Sequence, residues 1–136
     1  MLGRLTIRID EISLFFNTIC DVQISEGRAS INFEERHNNG SDRTTIGISK
    51  SKIFVIRKNL FGDVSEEENV YIISDDSNRT RRVTVDINGY RALLFAGNMK
   101  IDISQDRVFA QIRCYMSVDD KKPEEYLLKL ECFTID

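Results

Sequence analysis

A chain of 136 residues with a formal net charge of −3, 41% hydrophobic and 30% charged residues has the balance of one globular domain, 1–136. A general nucleic-acid binder would be strongly basic, and a disordered chain would carry more than one proline and seven glycines. Three cysteines at wide spacing, Cys20, Cys114 and Cys132, make neither a disulfide framework nor a zinc site; their apolar surroundings predict buried reduced thiols.

Leu5, Ile7 and Ile9 alternate with Thr6, Arg8 and Asp10, which predicts a half-buried strand. Ile12 to Phe16 reads as its continuation past a bulge at Asp10-Glu11. Cys20, Val22 and Ile24 alternate with polar residues up to a turn at Glu26-Gly27. Ala29, Ile31 and Phe33 repeat the pattern. The composition of 37–42, His-Asn-Asn-Gly-Ser-Asp, predicts a loop. Thr44 to Ile48 forms the next strand. Lys52 to Lys58 is a continuous apolar run between bases, expected to be buried on both faces.

The acidic stretch Asn59 to Asn69 reads as the longest loop, with room for one helical turn, before a short strand at Val70 to Ser74. The clearest signal is Arg81 to Phe95, which predicts a hairpin closing on Asn88-Gly89. Both central residues of such a turn need φ > 0, and Asn-Gly tolerates this well. Ile87 then faces Tyr90, Val85 faces Ala92 and Val83 faces Leu94, all on one apolar face. Asp86 faces Arg91, a cross-strand ion pair contributing about 0.2–1 kcal/mol. Ala96-Gly97-Asn98 reads as another turn. A second hairpin around Gln105-Asp106 sets Ile103 against Val108, Ile101 against Ala110 and Met99 against Ile112. A charged loop from Ser117 to Glu125 leads to a last strand carrying Tyr126, Leu128, Leu130 and Cys132.

No stretch has convincing helical periodicity, and strands recur about every ten residues with turn signals between them. The expected fold is an all-β, antiparallel sandwich of about ten short strands, jelly-roll-like or Greek key; the alternative is an up-and-down β-barrel. No apolar run approaches the about 20 residues that span a bilayer. Charges at Arg4, Arg8, Asp10 and Glu11 interrupt any signal-peptide core, so a cytoplasmic location is expected.

The chemistry of catalysis is not announced. Nucleophilic sites usually need a base, and the sole histidine, His37, lies in the expected polar loop, where an exposed residue is the simplest reading. Metal-ligand spacings and phosphate-cradling glycine motifs are missing from the sequence. Calcium at Asp63, Glu66 to Glu68, Asp75 and Asp76 is disfavoured, because these residues flank a strand at opposite ends. The bases Lys50, Lys52, Arg57 and Lys58, with Arg79, Arg81 and Arg82, could contact phosphates or an acidic partner; solubilised strand ends explain them more simply.

Apolar residues on nominally outer faces point elsewhere. Leu93 and Phe95, Phe109 and Tyr115, and Leu127 and Phe133 interrupt polar faces, and the segment Tyr126 to Phe133 is the place expected for sheet extension or self-association. The expected function is therefore a non-enzymatic interaction module, structural or adaptor in role, without cofactor or metal. It would act through protein–protein association, with itself first. Its candidate residues are Tyr126, Leu127, Phe133, Phe109, Tyr115, Arg79, Arg81 and Arg82. The alternative is a barrel or sandwich that binds a small ligand or sugar.

Overall fold

The computed structural model describes residues 1–38, 40–50, 52–61, 65–74, 82–87, 90–116, 122 and 124–135. The strands are β1 (Leu2–Ile9), β2 (Leu14–Ser25), β3 (Arg28–His37), β4 (Gly40–Ser49), β5 (Lys52–Phe61), β6 (Ser65–Ser74), β7 (Arg82–Ile87), β8 (Tyr90–Ile103), β9 (Arg107–Met116) and β10 (Glu124–Thr134). A 3-10 turn, Asp10–Ile12, joins β1 to β2. All ten belong to one antiparallel sheet, ordered β6-β5-β4-β3-β2-β1-β10-β9-β8-β7.

β2 to β6 and β8 to β10 each add beside their predecessors, β6 and β7 stand at the two edges, and the two halves join where β1 pairs with β10, with Leu5 opposite Cys132 and Ile7 opposite Leu130. The fold is all-β and barrel-like, with the strand order of the up-and-down alternative. The expected two-sheet sandwich does not form. A Greek key or jelly roll needs connections that cross between sheets, and these hairpins extend one sheet throughout. Among the described residues, no helix is long and apolar enough to cross a membrane.

Period-two alternation places one set of side chains on the inner face. Leu5, Ile9, Val22, Ile31, Val108 and Cys132 are fully buried there, from five strands. Burying each such side chain contributes about 1.5–3 kcal/mol. Ile46, Ile48 and Ile53 extend the cluster across β4 and β5, and Leu128 and Leu130 extend it along β10. Ile53 is buried while Phe54, Val55 and Ile56 are half-buried, so β5 is less enclosed than its apolar run suggests.

Both predicted hairpin registers are found. Ile87 pairs with Tyr90, Val85 with Ala92, Val83 with Leu94 and Asp86 with Arg91. Asn88 and Gly89 themselves lie outside the described residues. Ile103 pairs with Val108, Ile101 with Ala110 and Met99 with Ile112.

Four boundaries differ from expectation. The chain reverses at Asp10–Ile12 instead of bulging. Ser13 takes a left-handed conformation, φ 53°, and its N–H donates to the Asp10 carbonyl at 3.1 Å. A non-glycine residue closing a turn leaves little composition signal. The region 37–42 is mostly strand, with His37 paired to Gly40. Within Asn59 to Asn69, most residues are strand: Leu60 pairs with Glu66, Asn59 with Glu67 and Lys58 with Glu68. Finally, Ala96-Gly97-Asn98 is no turn. Ala96 pairs with Cys114 and Met99 with Ile112, so β8 spends one residue more than β9 there. The extra residue is absorbed as a β-bulge inside a continuous strand.

Candidate functional site

The outer face of β2, β1, β10 and β9 gathers apolar side chains that the core does not need. One cross-strand row runs Ile19–Arg4–Phe133–Arg107, each residue directly opposite the next. Ile19 is 44% exposed and Phe133 43%. Leu2 and Ile135 lie beside this row, both exposed, joined where the Ile135 N–H donates to the Leu2 carbonyl at 2.9 Å. Phe15, opposite Arg8, is exposed further along β2.

The arginines are held in place. The Arg4 Nη1 donates to the Asn17 Oδ1 at 3.1 Å. The Arg107 guanidinium lies 5.3 Å from the Phe133 ring centre and 5.8 Å from that of Phe109, and its Nη2 is 3.5 Å from Glu131. A guanidinium over an aromatic ring stiffens both side chains at modest energy, about 0.5–1 kcal/mol when exposed.

Of the residues expected to carry association, Phe133 and Phe109 each lie against the Arg107 guanidinium. Leu127 lies opposite Arg113 and Tyr115 opposite Glu125, towards the other end of the same strands. Tyr126 does not belong to this face: it is 9% exposed, within the core cluster, and its hydroxyl donates to the Glu124 carboxylate at 3.2 Å. Sheet extension at Tyr126 to Phe133 is also ruled out, because β10 is hydrogen-bonded to β1 on one side and β9 on the other. Arg82 opens β7, opposite Phe95; Arg79 and Arg81 lie outside the described residues, as do Asp63, Asp75 and Asp76. Leu2, Ile19 and Ile135 are additions. The signal for Ile19 was present in its two-residue alternation with Cys20 and Val22, but reading it needed the turn at Ser13.

A polar group faces inward near Asn38. The Arg57 Nη2 donates to the Asp42 Oδ2 at 2.9 Å, and the His37 Nε2 lies 3.4 Å from the Asp42 Oδ1. His37 is thus a strand residue beside a carboxylate, not a loop histidine. Burial pushes the Asp42 carboxyl up, yet the Arg57 and His37 contacts outweigh it and leave its pKa below the ordinary 3.8. Among the described residues, the Arg57 Nε is buried without an acceptor. The basic group read from the sequence is dispersed: Lys52 and Arg57 are an odd number of residues apart on one strand and so face opposite sides.

Cys20 and Cys132 are buried, with their sulfurs 3.5 Å apart. They sit on β2 and β10, which flank β1. Gly3 between them leaves the room: a Cβ there would meet the Phe133 carbonyl at 2.8 Å and the Val22 Cγ1 at 2.9 Å. Burial and the neighbouring Cys20 push the Cys132 thiol up to about 12. Burial pushes the Cys20 thiol up as well, and both cysteines are buried, as the sequence predicts. The Cys114 side chain lies outside the described residues. Among the described residues, no three His, Cys, Asp or Glu side chains are grouped to hold a metal ion.

No family model and no curated protein matches this chain. Among solved structures it is similar to the crystal structure of the ywiB protein from Bacillus subtilis. The TM-score is 0.59 at 10% identity, over 99% of this chain and 91% of that one. At that identity the likeness concerns the fold alone.

Proposed function

We propose that this protein is a non-enzymatic, cytoplasmic interaction module, structural or adaptor in role, that associates with a second copy of itself through the outer face of β2, β1 and β10. The observation that carries this reading is the exposed set Leu2, Ile19, Phe133 and Ile135 on three neighbouring strands, with Arg4 and Arg107 set among them. Aromatic and arginine side chains at the centre of a patch contribute most to binding when water is excluded. The mode is face-to-face packing, since the strands concerned have no free edge. A two-fold interface brings the same face against itself, and the alternation of Arg4, Phe133 and Arg107 in one row lets each copy set arginine against aromatic.

Light scattering over a concentration series tests the reading. The expected result is a dimer that Phe133→Glu, or Ile19→Glu, converts to a monomer with an unchanged circular dichroism spectrum. A monomer at every concentration overturns it.

The ligand-binding alternative draws support from the barrel-like order. The inner face counts against it, because its described part is packed with Leu, Ile and Val side chains.

A further inference from the structure

The outer face of β2 to β5 carries a second feature, at the end where β2 turns into β3 and β4 into β5. It is a groove of about 520 Å³, within the usual range of small-molecule sites. Two adjacent cross-strand rows line it. The first runs Gln23–Ser30–Gly47–Phe54 in direct register across four strands. The second holds Ser25 opposite Arg28 and Ser49 opposite Lys52. Ala29 pairs with Ile48, so Arg28 and Ser49 stand one step further on the same two strands. A Cβ at Gly47 would overlap the Phe54 ring, which therefore lies over the glycine and gives the groove an aromatic wall.

Charge and hydrogen bonding favour an anion. Most arginines of the described face pairs have partners: Arg43 with Glu34, Arg107 with Glu131, Arg113 with Glu125. Among the described residues, neither Arg28 nor Lys52 has a carboxylate within ion-pair distance, and both are exposed. They sit on strands two spacings apart, about 9.6 Å, a gap that two long side chains can close around one ion. The hydroxyl of Ser30 is oriented by its neighbours. Thr45 Oγ1 donates to Asn32 Oδ1 at 2.6 Å, and Asn32 Nδ2 donates to Ser30 Oγ at 3.3 Å. The Ser30 proton is thereby left to donate into the groove. Ser49 Oγ instead donates to the Lys52 carbonyl at 3.4 Å.

The geometry points to a phosphate monoester carried on a flat ring as the ligand of this groove. Arg28 and Lys52 match the dianion, Ser25 and Ser30 donate to its oxygens, and the ring lies against Phe54. A phosphate has three terminal oxygens for these donors, where a carboxylate has two.

Phenyl phosphate, titrated by NMR at low salt, is the probe; inorganic phosphate, benzoate and phenol are the comparisons. Phenyl phosphate is expected to saturate with a Kd below about 1 mM, with each comparison at least about tenfold weaker. Arg28→Gln and Lys52→Gln are each expected to weaken it at least about tenfold. Both side chains are exposed, so folding is not at stake. Phe54→Leu is expected to weaken phenyl phosphate and leave inorganic phosphate unchanged. Absence of saturation at about 10 mM overturns the proposal, as does a Kd indifferent to the two charge variants. Benzoate binding as tightly as phenyl phosphate overturns the phosphate assignment.

Discussion

Asp42 lies between Arg57 and His37, and its depressed pKa makes its contribution to stability depend on pH. A carboxylate with a folded pKa below its unfolded one stabilises above the unfolded value. That stability is lost as pH falls through the folded value. Asp42→Asn is therefore expected to cost about 1.5–3 kcal/mol near neutrality, the range for hydrogen bonds to charged groups. Urea unfolding at neutral pH and below about pH 4 checks this: the gap between variant and parent shrinks in acid. An equal gap at both pH values contradicts the ionic account. None of this was legible locally. His37 and Asp42 read as loop residues and Arg57 as one base in a run, because a charge pair fifteen positions apart depends on the register of β4 with β5. The burial of Cys20 and Cys132 was legible, since apolar alternation already placed them inside.

Among the elements, β4 and β5 meet at a pair that fits only with glycine. Gly47→Ala forces the Phe54 ring aside and is expected to destabilise by about 1–3 kcal/mol, an overpacking cost. In a Phe54→Ala background the same change is expected to cost little; a double-mutant cycle by thermal or urea unfolding measures the coupling. Further along the sheet, β10 is an interior strand with alternating faces. Leu130→Ala on its buried face is expected to cost about 2–5 kcal/mol. Leu2→Ala on the exposed face of the neighbouring strand is expected to stay within about 0.5 kcal/mol. Comparable losses in urea unfolding would contradict this assignment of faces. Strand identity was mostly legible at this scale, and strand ends were not. Glycine-asparagine at 97–98 signals a turn in the sequence, but two flanking segments that share the partner β9 make it a bulge.

At the scale of the molecule, the junction of β1 with β10 decides how the protein can associate. It buries the hydrogen-bonding edges of both strands and leaves the sheet edges at β6 and β7. Leu2, Ile19, Phe133 and Ile135 then meet on a face, so the proposed dimer packs sheet against sheet. The sequence by itself determined that the chain is all-β, which residues alternate towards the core, and the registers of the hairpins closing at 88–89 and 105–106. These follow from side-chain alternation and turn chemistry, which act within about a dozen residues. The choice of one sheet over two, the interior position of β10 and the surfaces assembled from distant segments all depend on long-range packing. The physical reason is that pairing Leu5 with Cys132 closes a loop spanning nearly the whole chain. Any apolar strand of suitable length could satisfy either partner, so the choice rests on the packing of all the strands together.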